Sequence, residues 1–112
     1  MDGPERLKNA TGFQWDEGNL EKSSRTHGVE FWESEEIFFN QPFVVLLDER
    51  HSTTEERYFS LGKTDLGRTL MVVFTLRGTE IRVISARDMS RKERRVFAGY
   101  EQETEESPEV PG

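Results

Sequence analysis

The stretch Thr69–Ala86 reads TLMVVFTLRGTEIRVISA, and its pattern decides the fold class. Residues 69–76 are almost continuously apolar, as expected for a central strand that is buried on both faces. Arg77–Glu80 contains Gly78 and predicts a tight turn, after which Ile81–Ala86 predicts a second strand. We therefore expect an antiparallel hairpin at the centre of a sheet.

Two further strands are predicted before this hairpin. Phe43–Leu47 is a short apolar run bounded by a proline and an aspartate. Glu56–Lys63 alternates in part, so that Tyr58 and Phe59 are expected on opposite faces. Together with the hairpin, these segments predict an antiparallel sheet of about four strands.

Two helices are predicted before the sheet. Phe13-Gln14-Trp15 reads as a short strand or anchor, and Asp16 is a good N-cap for a helix to about residue 26. Gly28 supplies a C-terminal stop for that helix. A second helix is expected over Glu30–Phe39, ended by Pro42.

One helix is predicted after the sheet. Ser90 followed by Glu93 forms a capping box, and Val96, Phe97 and Tyr100 supply apolar positions beyond it. The order of elements predicts an α+β fold with two N-terminal helices, the sheet and one C-terminal helix. We expect a flexible lead-in over residues 1–12, a single domain over 13–101 and a disordered acidic tail over 102–112.

The composition limits the chemistry. A chain of 112 residues fits one domain. It has no cysteine, which excludes disulfides and thiolate zinc sites. With two histidines, a metal site built from protein side chains alone is not expected, although carboxylates suit Mg²⁺. No cofactor is predicted. No apolar run approaches the roughly 20 residues that span a bilayer, so we expect a cytoplasmic protein with no membrane partner.

The charge is unevenly distributed. The net charge is −7, and removing the five glutamates of residues 101–112 leaves −2. Residues 82–95 carry six basic and two acidic side chains, a local balance of +4. A polyanion meets this local patch and not the overall charge. The other reading of the patch is a solvated helix face.

Several segments, in order and together, resemble the BrnT family of bacterial toxins. They cover about residues 13–97 and are Phe13-x-Trp15-Asp16, His27-Gly28-Val29, Asp48-x-x-His51-Ser52, Glu55–Tyr58, Leu61-Gly62-Lys63, Gly67-Arg68, and Ile81–Arg87 continuing to Glu93-Arg94. The resemblance implies a RelE-like fold and a ribonuclease toxin that suppresses translation and arrests growth. It also implies a partner, a ribbon–helix–helix antitoxin like BrnA, which would bind operon DNA itself. The toxin would meet RNA, free or on the ribosome.

Cleavage of RNA without a metal ion needs a base, a group that stabilises charge on phosphorus, and an acid. Histidine suits proton transfer, and arginine suits the phosphate because its planar fork holds two oxygens. The predicted catalytic residues are His51, Arg57, Arg82 and Arg87. The alternative role for His51 is structural, as a loop histidine whose ring is hydrogen-bonded to the backbone.

Further residues are candidates for binding or support. Lys63, Arg68 and Arg77 lie near turns and either guide the RNA backbone or are simply solvated, and Arg91 is suited to RNA or to an acidic antitoxin segment. The possible supporting residues are His27, Glu56 and Tyr58. Their structural alternatives are a helix-end histidine, a surface ion pair and a half-buried strand tyrosine. A second functional class also stays open, a catalytically weak module that assembles with the DNA-binding partner.

Overall fold

The computed structural model describes residues 5–51 and 55–106, and four helices and five strands follow one another in that part of the chain. They are α1 (Glu5–Lys8), β1 (Gly12–Gln14), α2 (Glu17–His27), α3 (Phe31–Glu36), β2 (Val44–Leu47), β3 (Arg57–Lys63), β4 (Thr69–Arg77), β5 (Glu80–Asp88) and α4 (Arg91–Glu106). Residues 49–51 form a short 3₁₀ turn.

The five strands form one mixed sheet in the order β1-β5-β4-β3-β2. The antiparallel pairs β2–β3, β3–β4 and β4–β5 agree with the predicted meander. The expectation of a wholly antiparallel sheet of about four strands was wrong, because β1 adds a fifth strand parallel to β5, with Phe13 opposite Ile81. Thr11 fixes this edge by donating its backbone N–H to the carbonyl of Thr79, at 2.7 Å.

The larger hydrophobic core lies between the sheet and the helices before it. Val29 and Ile37, at the ends of α2 and α3, are buried against the face that we call the inner face. Its strand residues in this core are Tyr58, Leu70, Val72, Phe74, Leu76, Ile81, Val83 and Ala86. Burying these side chains supplies the main stabilisation of the fold.

A smaller core lies on the other side, which we call the outer face. Phe97 of α4 is buried there with Leu61 and Met71, near the end of the sheet where β5 leads into α4. The helix begins as predicted: Ser90 and Glu93 form the capping box, with bonds of 2.8 and 3.2 Å between each backbone N–H and the other side chain. α4 therefore covers one part of the outer face.

The register of β5 contains an irregularity that the sequence did not predict. Phe74 lies opposite Val83 but Val73 lies opposite Ser85, so Ile84 is an extra residue in β5. Strict alternation along residues 81–86 predicts Arg82 and Ala86 on one face, and the structure places them on opposite faces. The extra residue forms a β-bulge, and the bulge turns Ala86 to the inner face.

The ends of several elements differ from those predicted. α3 ends at Glu36 and not at Phe39, because residues 37–39 form turns in which the N–H groups of Phe38 and Phe39 bond three residues back. α4 continues to Glu106, through part of the predicted tail. Residues 5–8 are helical within the predicted lead-in. Residues 1–4 and 107–112 lie outside the described part of the chain.

Candidate functional site

Four residues lie side by side across four strands of the sheet. Arg57 of β3 is opposite Thr75 of β4, Thr75 is opposite Arg82 of β5, and Arg82 is opposite Gln14 of β1. Because neighbouring strands are about 4.8 Å apart, this row spans roughly 14 Å. We call these four residues the arginine row.

The row lies on the outer face of the sheet. Phe74 and Leu76 flank Thr75 along β4 and belong to the inner core, so alternation turns Thr75 outward. In the next row toward α4, Leu46 is 56% exposed and Phe59 is 37% exposed, which shows that this part of the face is open to solvent. The arginine row, in which Thr75 is buried and the other three residues are half-buried, therefore lies beside a solvent-open part of the sheet and next to an exposed aromatic ring.

Acidic side chains lie near the row without forming tight pairs to Arg82 or Arg77. The Arg82 guanidinium is 3.4 Å from the carboxylate of Asp16, whose other oxygen caps α2 by accepting the N–H of Gly18 at 2.8 Å. Arg77, two residue pairs further toward the β4–β5 turn, is likewise 3.4 Å from Glu55. Ion pairs of this length in solvent are weak, so these two guanidinium groups can turn toward a phosphate.

Arg57 is half-buried at the start of β3. Its carbonyl accepts the N–H of the buried Asp48 at 2.7 Å, which joins the end of β2 to the start of β3. The backbone that carries Arg57 is therefore held firmly in the sheet. His51 lies in the turn between these strands, and its side chain is outside the described part of the structure.

Arg87 is separated from the row. It lies opposite Met71, four residues along β4 from Thr75, a distance of about 13 Å at 3.3 Å per residue. Its guanidinium donates two bonds to Glu93, at 2.8 and 2.9 Å, and one to the carbonyl of Asp88 at 3.1 Å. The bonds with Glu93 raise the pKa of Arg87 and lower the pKa of Glu93. This geometry holds the start of α4.

Arg68 is a clamp between the sheet and the helices. It bonds both carboxylate oxygens of Asp88, at 2.7 and 3.1 Å, and the carboxylate of Glu33 at 3.1 and 3.2 Å. It also bonds the carbonyls of His27 and Gly28 at the end of α2. Each of its three nitrogens is engaged by protein oxygens. The hydrogen bonds with Asp88 raise the pKa of Arg68 and lower the pKa of Asp88.

The remaining predicted binding residues are dispersed. Lys63, at the end of β3, donates to Glu101 of α4 at 2.7 Å. Arg91 is exposed in the first turn of α4. The structure therefore brings Arg57 and Arg82 together, places Arg77 near them, and leaves Lys63 and Arg91 around α4.

The predicted supporting residues lie at the start of β3 and at the end of α2. Tyr58 is buried on the inner face, where its ring stacks on Phe74 and its hydroxyl donates to Glu56 at 2.9 Å. The face of the Tyr58 ring is therefore not accessible to an RNA base. His27 is exposed at the C-terminal end of α2, and Gly28 follows in the left-handed conformation with φ of 63°.

Three residues of this site were not singled out from the sequence: Gln14, Phe59 and Thr75. Gln14 joins the row through the parallel pairing of β1, which no local pattern shows. Phe59 had a signal, because alternation with a buried Tyr58 turns its ring outward. Thr75 had one also, as the one polar residue within the apolar run 70–76.

The described part of the chain contains neither a cluster of metal ligands nor a membrane-spanning helix. Its histidines, aspartates and glutamates form no group of three that is placed to hold a metal ion. None of its helices is both long enough and apolar enough to cross a bilayer.

Comparisons with known proteins agree with the architecture. Residues 15–93 match the family described as the ribonuclease toxin BrnT of type II toxin–antitoxin systems. The fold is similar to the 1.1 Å crystal structure of the Brucella abortus ribonuclease toxin BrnT, with a TM-score of 0.56 and 21% identity over 73% of this chain and 100% of that chain. A comparison with curated proteins finds no match. The family match covers most of the chain, which therefore belongs to the BrnT family of type II toxins.

Proposed function

We propose that this chain is the toxin of a type II toxin–antitoxin pair and a metal-independent endoribonuclease whose domain, residues 13–101, cuts RNA at the arginine row. The observation that carries the proposal is the placement of Arg57 and Arg82 on either side of Thr75, beside a solvent-open part of the sheet. The family, described as ribonuclease toxins, supports the type of reaction.

The proposed reaction is attack of a ribose 2′-oxygen on the adjacent phosphorus. The phosphorus–5′-oxygen bond breaks, leaving a 2′,3′-cyclic phosphate and a 5′-hydroxyl. Arg57 and Arg82 stabilise the extra negative charge on the phosphoryl oxygens, the charge that a metal ion would otherwise offset. A base takes the proton of the 2′-hydroxyl, and an acid returns one to the 5′-oxygen.

His51 remains our proposed group for proton transfer, because imidazole exchanges protons near neutral pH. Glu56 is a weaker choice, since it is engaged by the hydroxyl of Tyr58, whose ring is on the inner face. We assign Arg87 and Arg68 to the support of the fold, because their guanidinium groups are held by carboxylates away from the row. Lys63, Arg77 and Arg91 are left as contacts for the flanking RNA backbone.

The exposed ring of Phe59 favours single-stranded RNA as the substrate. Bases of a single strand are free to stack on aromatic side chains, whereas those of a duplex are stacked on each other. Phe59 lies two residues from Arg57 on the same face, about 6.7 Å along the strand. A base on Phe59 would thus leave its phosphate near the arginines.

The proposed partner is a cognate ribbon–helix–helix antitoxin that blocks cleavage and alone contacts DNA. The proposed outcome of free toxin is inhibition of translation and growth arrest in the cytoplasm.

The test is cleavage of labelled messenger RNA by purified toxin, with and without ribosomes and with EDTA. Wild-type protein should cut in EDTA, and Arg82→Ala and Arg57→Ala should each lower the rate at least a hundredfold. Arg25→Ala is the matched control, because Arg25 lies on the exposed side of α2 in a pair with Glu21. If folded wild-type protein cuts under no condition, the proposal fails and the module that only binds its antitoxin replaces it.

A further inference from the structure

Thr75, in the middle of the arginine row, holds a buried hydroxyl that has no hydrogen-bond partner among the described residues. The residue is 1% exposed. The contrast is Ser60 on the inner face, whose hydroxyl is buried as well but donates to the carbonyl of Val72 at 2.8 Å. Thr75, by contrast, is on the outer face, because its neighbours Phe74 and Leu76 belong to the inner core. Its unpartnered hydroxyl thus lies within the candidate site.

An unpartnered buried hydroxyl destabilises a folded protein, since it loses its bonds to water and gains none. A valine has the same shape and would avoid that loss. The presence of threonine and not valine at position 75 is explained if a bound ligand accepts a hydrogen bond from the hydroxyl.

The neighbours of Thr75 indicate the ligand. Arg57 and Arg82 flank it on the same face, one on each side. Arginine side chains are long, and the inference requires those of Arg57 and Arg82 to adjust so that the anion reaches the hydroxyl between them. Two cations and a neutral donor in one row suit the two non-bridging oxygens of an RNA phosphate, which gain negative charge in the transition state and can each accept more than one hydrogen bond.

We infer that the Thr75 hydroxyl donates a hydrogen bond to a non-bridging oxygen of the RNA phosphate that Arg57 and Arg82 hold. Thr75 is then a substrate-binding residue, and its missing partner in the free protein is the scissile phosphate. This inference rests on the proposed function, because it needs the row to be the cleavage site.

The experiment compares Thr75→Val, Thr75→Ser and Ser34→Ala with wild-type protein. Ser34 is the matched control, since its hydroxyl is also buried and unpartnered among the described residues but lies in α3. Three quantities are measured: the unfolding midpoint in urea, the cleavage rate, and the affinity for a 2′-O-methyl oligoribonucleotide, which keeps its phosphates but is not cleaved.

Thr75→Val should unfold at the same or a higher urea concentration, bind the oligonucleotide about tenfold more weakly and cleave at least tenfold more slowly. Thr75→Ser should stay within about threefold of wild type, and Ser34→Ala should change neither affinity nor rate. Should the valine variant not fold, Thr75→Ala compared with Thr75→Ser isolates the hydroxyl in the same way.

Wild-type affinity and rate in Thr75→Val would overturn the inference. Arg82→Ala, assayed beside it, separates the two failures. If Arg82→Ala abolishes cleavage while Thr75→Val does not, the hydroxyl has no role and the proposed function stands. If neither change has an effect, the row is not the cleavage site.

Discussion

Arg87 and Glu93 are joined by two parallel hydrogen bonds, so the end of β5 and the first turn of α4 form one rigid unit. Glu93 also accepts the backbone N–H of Ser90, which makes one carboxylate serve both the capping box and the arginine.

Replacing Arg87 should therefore affect stability more than chemistry. We expect Arg87→Ala to lower the free energy of unfolding by about 1 kcal/mol, because the pair is only partly buried. Cleavage per folded molecule should stay within about threefold of wild type. Urea unfolding and the cleavage assay measure the two effects, and a hundredfold loss of rate in stable protein would return Arg87 to the active site.

The Arg68 clamp should be sensitive even to lysine. Arg68→Lys keeps the charge but cannot bond Asp88, Glu33 and the end of α2 together. We expect a loss of about 2 kcal/mol in the free energy of unfolding. Arg25→Lys, on the exposed side of α2, should lose almost nothing. Equal stability of the Arg68 variant and wild-type protein would contradict this account.

Stability should fall in acid. The pKa values of Asp88 and Glu93 are lowered in the folded protein by Arg68 and Arg87, so the unfolded chain binds protons at a higher pH. The stabilisation is present above the ordinary carboxylate range near pH 4 and is lost as the pH falls through the lowered values. Urea unfolding from pH 7 to pH 3 should show this, and the slope should be smaller in the Asp88→Asn, Glu93→Gln double variant.

Gly62 should not tolerate a side chain. A Cβ at this position would lie 2.7 Å from the Cβ of Ile37 and 3.2 Å from its carbonyl oxygen. Gly62→Ala must push the end of α3 away from β3, at a cost of about 1–3 kcal/mol. Gly99→Ala is the control, since a Cβ there would have no described atom within 4 Å beyond the adjacent backbone of its own helix, and alanine favours the helix. Thermal unfolding distinguishes them, and equal melting temperatures would refute the steric argument.

Phe59 should contribute to RNA affinity through its ring. We expect Phe59→Leu to weaken binding of single-stranded 2′-O-methyl RNA about tenfold and Phe59→Tyr to preserve it. Phe39→Leu removes another exposed ring, at the turn after α3, and should have no effect. Fluorescence anisotropy gives the affinities. If Phe59→Leu instead weakens only antitoxin binding, the exposed ring belongs to the protein interface.

Features set by neighbouring residues were predictable from the sequence. The turn around Gly78, the N-cap at Asp16 and the capping box of α4 each depend on a few adjacent residues, and all three are found in the structure. The antiparallel meander followed from alternation and turn spacing, which are also local.

Features set by register could not be predicted in the same way. The position of β1 beside β5 depends on pairing across more than sixty residues. The candidate site depends on it too, because Arg57 and Arg82 become neighbours only through β4. From the sequence, Arg87 and Arg82 are equally good candidates for binding phosphate. Glu93, the carboxylate that engages Arg87, is predicted only as part of the capping box of α4.

The bulge at Ile84 shifts the alternation of faces within β5. If β5 alternated regularly through Ile84, with Arg82 on the outer face, Arg87 would point into the inner core, where an unpaired guanidinium is not tolerated. With it, Arg82 and Arg87 share the outer face, and Asp88 turns inward to meet Arg68. Because of this bulge, a single strand carries a residue of the arginine row at one end and the anchor of α4 at the other.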